Sequence, residues 1–440
     1  MDPMTLALLV GIVTLAVLFS GVSVGFGLMI VSMGFIFAFD GAWGLQVLPE
    51  ILFGKLDSFA LLSIPMFILM GAAVASSRAG GDLYAALDRW LTRVPGGLVI
   101  SNLGACALFS SMSGSSPATC AAIGKMGIPE MLKRGYPQGV AAGSIAAGGT
   151  LGILIPPSVT MIVYGIATET SIGRLFLAGL IPGLMLTGLF MAWAIFSTWW
   201  QTGADVIASK RRFTLKEKLE VLPRVVPFLI VIVLVLVALY GGIATPSETA
   251  GVGAVLCILL AVVIYRMWQG RLIWAMFRDC TKESVMLLVI IAASGLFSYM
   301  LSSLFITQTV AQQIIGMDLN PWMLMLYINL FLLVAGFFLP PVAVILMAAP
   351  ILLPIVVNAG FDPYWFAVVL TINMEIGLIT PPVGLNLYVI NGIAPTIRLQ
   401  TILWGSLPYV GCMVVAILLL CIFPGIATSL PNLVMGPAVF

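Results

Sequence analysis

Four short helix-breaking stretches carry most of the chemistry this sequence offers. Ser110-Ser-Met-Ser-Gly-Ser-Ser-Pro117 sets five hydroxyls between two apolar runs. Gly149-Thr-Leu-Gly152-Ile-Leu-Ile-Pro156-Pro157-Ser158 and Gly377-Leu-Ile-Thr380-Pro381-Pro382-Val-Gly384-Leu-Asn386 each centre on a Pro-Pro pair. Two prolines withhold two amide donors and free the preceding carbonyls. The fourth stretch, Gly336-Phe-Phe-Leu-Pro340-Pro341, has no hydroxyl and would rely on main-chain oxygen. Bare carbonyls and serine hydroxyls suit a hard cation such as sodium. The N-terminus of a half-helix after Pro117 suits an anion. A small-residue packing turn or a simple proline kink is the competing reading, but a kink needs one proline, and the double breaks occur twice.

Glu375 is the only acid placed inside the membrane. An intramembrane carboxylate is expensive, so a function is its default reading. It either balances cations or holds a broken helix through hydrogen bonds. Ser115, Ser116, Ser158 and Asn386 are the candidate substrate contacts. Asn373, Asn386 and Asn391 serve equally as helix–helix hydrogen bonders, which is the commoner role. Arg174 and Glu169 read as solvated loop charges. Histidine is absent, which removes the commonest general base and metal ligand. The six cysteines show no CxxC pairing and read as small packing residues.

These stretches need a membrane to make sense. Of 440 residues, 61% are apolar and 8% charged, too little charge to cover a soluble globule of this size. A soluble enzyme, a disordered chain and a nucleic-acid binder are excluded, leaving an all-α polytopic membrane protein. Spans are expected at 4–20, 22–39, 58–77, 175–200, 225–241, 248–265, 284–301 and 399–423. The pairs 97–113 with 117–130 and 321–338 with 341–357 read as re-entrant hairpins. The pairs 138–151 with 157–168 and 363–376 with 383–394 read as broken helices. Segments 40–57 and 78–93 are expected along the membrane surface. The N-terminal run lacks a basic n-region and reads as a retained first helix.

The chain repeats itself. At a shift of 225 residues Pro129 falls on Pro354, Gly135 on Gly360, Gly152 on Gly377, and Pro156-Pro157 on Pro381-Pro382. Basic residues cluster in 78–93, 125–134, 210–224 and 266–282, whereas none occurs between Lys282 and Arg398. Equivalent positions are thus basic in one half only, as two inverted-topology repeats require. The path places 17 of the 19 basic residues in the cytoplasm, Lys55 and Arg174 excepted. The first repeat covers 1–209, with helices 4–77, the hairpin and broken helix 97–168 and a returning helix 175–200. A cytoplasmic connector spans 210–224. The second repeat covers 225–440, with helices 225–301, the hairpin and broken helix 321–394 and a final helix 399–423.

At these residues the sequence resembles the large membrane subunit, DctM type, of tripartite ATP-independent periplasmic (TRAP) transporters. The runs Ser113–Gly124, Gly148–Ser158 and Glu375–Gly384 look like its signatures, as do Leu83–Trp90 and Tyr240–Pro246. The resemblance covers essentially the whole chain. It implies an inner-membrane subunit that drives sodium-coupled uptake of small organic acids, C4-dicarboxylates first, by an elevator motion of the hairpins and broken helices. It implies one sodium near Ser110, Ser113, Gly152, Ile155 and Pro157, and a second near Gly336, Gly377, Thr380 and Val383. It also implies two partners: a DctQ-like four-helix membrane subunit and a DctP-like periplasmic substrate-binding protein. The chain is too short to contain a fused small subunit, so that subunit is expected to be separate. Pro340-Pro341 departs from the family, where many members carry an acidic residue.

Four other readings are weaker. A binding-protein-independent sodium/dicarboxylate carrier would move substrate alone, and sialic or other sugar acids are alternative cargo. An intramembrane enzyme would lack an acid–base pair, and a passive channel would show flux without sodium coupling.

Overall fold

The computed structural model describes residues 3–91, 96–207, 213–317 and 319–437. Among these, every regular element is helical. Among the described residues, nine helices are long and apolar enough to cross a bilayer, and a pair bent by 40° adds a tenth. The chain is an all-α, multi-pass membrane protein.

The first half begins with α1 (Pro3–Phe19), α2 (Val24–Gly44), α3 (Leu48–Leu56), α4 (Ser63–Ser76) and α5 (Ala79–Leu91). A hairpin follows, made of α6 (Gly97–Ser113) and α7 (Ser116–Lys133). The broken helix is α8 (Gln138–Leu154) with α9 (Val159–Thr168), and α10 (Ile172–Ile207) returns. The second half has α11 (Leu215–Tyr240), α12 (Pro246–Tyr265), α13 (Gly270–Ser303) and α14 (Ile306–Gly316). Its hairpin is α15 (Pro321–Phe338) with α16 (Pro341–Asn358), and its broken helix is α17 (Pro363–Leu378) with α18 (Leu385–Ile393). Helices α19 (Leu399–Ile422) and α20 (Gly425–Met435) close the chain.

Adding 225 to the bounds of α6 to α9 reproduces those of α15 to α18 to within one residue. Both Pro156-Pro157 and Pro381-Pro382 are cis, and Gly135 and Gly360 share a left-handed φ of 82° and 86°. These correspondences are compatible with the repeat. Packing crosses between the halves: α7 lies against α18, and α9 against α16.

Two helices start earlier than hydropathy indicates. Helix α11 begins at Leu215, because Thr214 and Glu217 form a reciprocal capping box. Residues 215–224 of the expected connector are therefore helical, while 210–212 lie outside the described residues, as does Arg93. Helix α13 begins at Gly270. Its 34 residues span about 51 Å, more than the roughly 30 Å hydrocarbon core, so its charged first turns extend beyond it. Helix α5 forms over 79–91 but is more than a surface helix. Leu83, Tyr84 and Ala86 are buried, and α5 packs on both α6 and α11.

Small residues set the closest helix contacts. Helix α19 runs along α8, where Gly139 and Gly143 face Gly405. A Cβ on Gly143 or Gly405 would overlap backbone atoms of the opposite helix. In a membrane such close approach replaces the hydrophobic effect with dispersion between backbones.

Candidate functional site at the hairpin tips

The first tip is shaped by one glycine and several hydroxyls. Helix α6 stops at Gly114, φ 59°, a left-handed conformation that costs a residue with a Cβ. The Gly114 N–H donates to Ser110 O at 2.8 Å. Ser115 is extended and starts α7, with Pro117 in its first turn, where the missing amide hydrogen costs nothing. Ser113 Oγ lies 3.0 Å from Thr119 Oγ1, and Thr119 Oγ1 donates to Ser115 O at 2.9 Å.

This tip meets the first broken helix. A Cβ on Gly152 would come 2.8 Å from Ser110 Cβ, and one on Gly114 would come 3.2 Å from Pro157 O. Ile155 is the extended residue that ends α8. Ser110, Ser113, Gly152, Ile155 and Pro157 thus border one break. The second tip has the same plan. A Cβ on Gly377 would overlap the Gly336 carbonyl, and Val383 N–H donates to Phe337 O at 3.3 Å. Thr380 Oγ1 donates to Ile376 O at 2.7 Å. Gly336, Gly377, Thr380 and Val383 are brought together there.

Both tips open onto one cavity of about 1040 Å³. Ser113, Ser115 and Ser116 face it from one hairpin, Pro340 and Pro341 from the other, and α13 forms the wall carrying Lys282. The expected substrate contacts divide. Ser115 and Ser116 are on the cavity wall. Ser158 is not; it caps α9, accepting from Met161 N–H at 3.3 Å. Asn386 is not on the wall either, and its Nδ2 donates to Ala146 O at 3.2 Å, joining α18 to α8. Asn373 Nδ2 donates to Asn329 Oδ1 at 2.6 Å, a helix–helix bond. Asn391 Nδ2 donates to Ile397 O at 2.9 Å.

Two charges behave in ways the sequence does not signal. Glu375 is 1% exposed and accepts from Ser116 Oγ at 3.3 and 3.2 Å through its two oxygens. The bond joins the second broken helix to the first hairpin. Arg174 is not a solvated loop charge. Its Nη2 donates to Met435 O at 3.0 Å, Gly436 O at 2.9 Å and Pro437 O at 3.3 Å, and its guanidinium lies 5.9 Å from the Tyr364 ring centre. It satisfies carbonyls at the C-terminal end of α20, which a helix leaves without internal partners.

Away from the tips, Arg134 at the end of α7 pairs with Asp88 of α5 and with Glu130, each at 2.9 Å. Arg224 of α11 approaches Asp82 at 3.8 Å. Helix α5 is therefore tied to a hairpin on one side and to α11 on the other. Burial raises the Tyr84 phenol of this helix well above its ordinary range.

Paired hairpins and paired broken helices around one midchain cavity define a helical secondary-transporter architecture. The chain shares that fold with the YdaH transporter of Alcanivorax borkumensis, at TM-score 0.67 and 14% identity over 87% of this chain and 89% of that one. The family model described as "Tripartite ATP-independent periplasmic transporter, DctM component" matches residues 11–426. The chain belongs to this family and is a TRAP transporter large permease of the bacterial inner membrane. It is 38% identical to the C4-dicarboxylate TRAP transporter large permease protein DctM of Pseudomonas aeruginosa, over 87% of this chain and 88% of the relative. It is 30% identical to the sialic acid TRAP transporter large permease protein SiaM of Vibrio cholerae, over 96% of this chain and 97% of the relative.

Proposed function

We propose that this permease imports C4-dicarboxylates by sodium symport. The observation that carries the reading is the convergence of both hairpin tips on one cavity, each backed by a double-proline break. In this reading one sodium is held by Ser110, Ser113, Gly152, Ile155 and Pro157, mostly through main-chain oxygen. The second is held by Gly336, Gly377, Thr380 and Val383. The ions neutralise and order the tips, and the dicarboxylate docks between them near Ser115, where the N-terminus of α7 favours an anion. Hairpins and broken helices then travel together across the remaining helices, in halves of opposite orientation.

The choice of cargo is supported by the 38% relative named for C4-dicarboxylates. The 30% relative named for sialic acid supports sugar acids less strongly. Membership in a tripartite family supports the two partners, a separate four-helix membrane subunit and a periplasmic binding protein. Membership in a family of transporter permeases supports transport rather than catalysis.

The test is uptake into proteoliposomes containing this chain and its small subunit, with the binding protein outside. Succinate uptake driven by an inward sodium gradient, absent in potassium-only buffer and absent without the binding protein, is the expected result. Uptake by this chain alone would point to the carrier alternative. Uptake of sialic acid but not succinate would replace the cargo.

A further inference from the structure

The Glu375–Ser116 contact is poorly compensated for a buried carboxylate. Glu375 and Ser116 are 1% and 0% exposed. Among the described residues, no Lys or Arg pairs with Glu375, and its one hydrogen-bond partner is the Ser116 hydroxyl, at 3.2 to 3.3 Å. Helix dipoles do not remedy this. Ser116 is the first residue of α7, whose positive end faces the carboxylate, but Glu375 sits in the last turn of α17, whose negative end opposes it. An ionised carboxylate in such a place requires a counter-charge.

A second unsatisfied group lies at the same junction. Asn386 is 0% exposed, and its Oδ1 has no hydrogen-bond partner. Its Nδ2 is committed to Ala146 O, which leaves the carbonyl oxygen free. Gly149 marks the meeting point. A Cβ there would meet Cys120 Sγ first, then the Ser116 main-chain oxygen at 3.0 Å and Asn386 Nδ2 at 3.4 Å. One proton on Glu375 would neutralise the charge and leave the amide oxygen orphaned. One small hard cation would satisfy both, since carboxylate, hydroxyl and amide oxygens are the ligands such ions prefer.

We propose that Glu375, Ser116 and Asn386 form a third monovalent-cation site, for sodium, where the first hairpin meets the second broken helix. It shares none of its side chains with the two sites proposed above. It sits between the two repeats rather than within either, so its ion links them. The equivalents of Glu375 and Ser116 at the 225-residue shift are Thr150 and Pro341, so the site has no twin and adds one ion rather than two.

The experiment counts sodium bound by the purified complex with its small subunit, using radioactive sodium in equilibrium dialysis. The variants are Glu375→Gln, Asn386→Leu and Ser113→Ala, each first checked for a monodisperse elution profile. The inference expects three ions in the unaltered complex, two in Glu375→Gln and two in Asn386→Leu. It also expects the sodium-induced rise in melting temperature to shrink in both. Ser113→Ala reports on the first proposed site and is expected to weaken a different ion by roughly tenfold, so that at a sodium level between the two dissociation constants the double variant with Glu375→Gln binds one. Two ions in the unaltered complex, unchanged by Glu375→Gln or Asn386→Leu, would overturn the third site and leave the two-sodium reading standing. A single ion lost on Glu375→Gln but retained in Ser113→Ala would uphold this site and overturn the other two. Should Glu375→Gln fail to fold, Asn386→Leu decides by the same count.

Discussion

The hydroxyl of Ser116 bonds the carboxylate of Glu375 across 259 residues of chain. It fastens the tip of one half's hairpin to the last turn of α17, just before the other half's double-proline break. Removing the hydroxyl leaves a buried acceptor without its donor, which costs about 1–3 kcal/mol. Ser116→Ala is expected to lower the melting temperature, with a larger drop in sodium than in sodium-free buffer, because the ion then loses one of its ligands. Scanning fluorimetry in the two buffers measures it, and equal drops would remove the link to an ion.

In the proposed sodium sites, Ser113 contributes a side-chain oxygen at the first tip and Thr380 at the second. Thr380→Val and Ser113→Ala are each expected to raise the sodium concentration for half-maximal uptake by roughly tenfold, equivalent to about 1.4 kcal/mol. Maximal uptake at saturating sodium changes less. A sodium titration of the reconstituted complex gives both quantities.

Gly377 has no room for a methyl group, because the Gly336 carbonyl occupies that position. Gly377→Ala is expected to abolish uptake and to destabilise the protein by about 1–3 kcal/mol. Gly188 has nothing within 4 Å of its added Cβ, and Gly188→Ala is expected to leave uptake unaltered. Parallel uptake and melting measurements compare the two.

Arg174 holds the end of α20 through three carbonyls. Arg174→Gln is expected to speed amide exchange in 425–435 by tenfold or more while exchange in α8 stays as it was. Hydrogen–deuterium exchange read by mass spectrometry resolves the two segments. Unchanged protection in α20 would contradict the assigned role.

What could be read from the sequence follows from what the bilayer demands. Prolines at 156–157 and 381–382 remove donors wherever they sit, so both breaks were visible without a structure. Their common spacing marked the two hairpins as well. The beginnings of α11 and α13 were missed because their first turns are polar, and hydropathy is blind to a helix that leaves the hydrocarbon core. Capping residues Thr214 and Glu217 were the available signal for α11. The partners of Glu375 and Arg174 were out of reach for another reason. Each lies in a different part of the chain, and no local spacing connects position 375 with 116 or 174 with 435.

The glycine seam between α8 and α19 has a mechanical consequence. With backbones touching at Gly139, Gly143 and Gly405, no cushion of side chains remains to absorb sliding, so the two rods form one stiff plank. In the cycle proposed above, whatever shifts the first double-proline break drags α19 along, which moves that helix from the stationary rail to the travelling carriage.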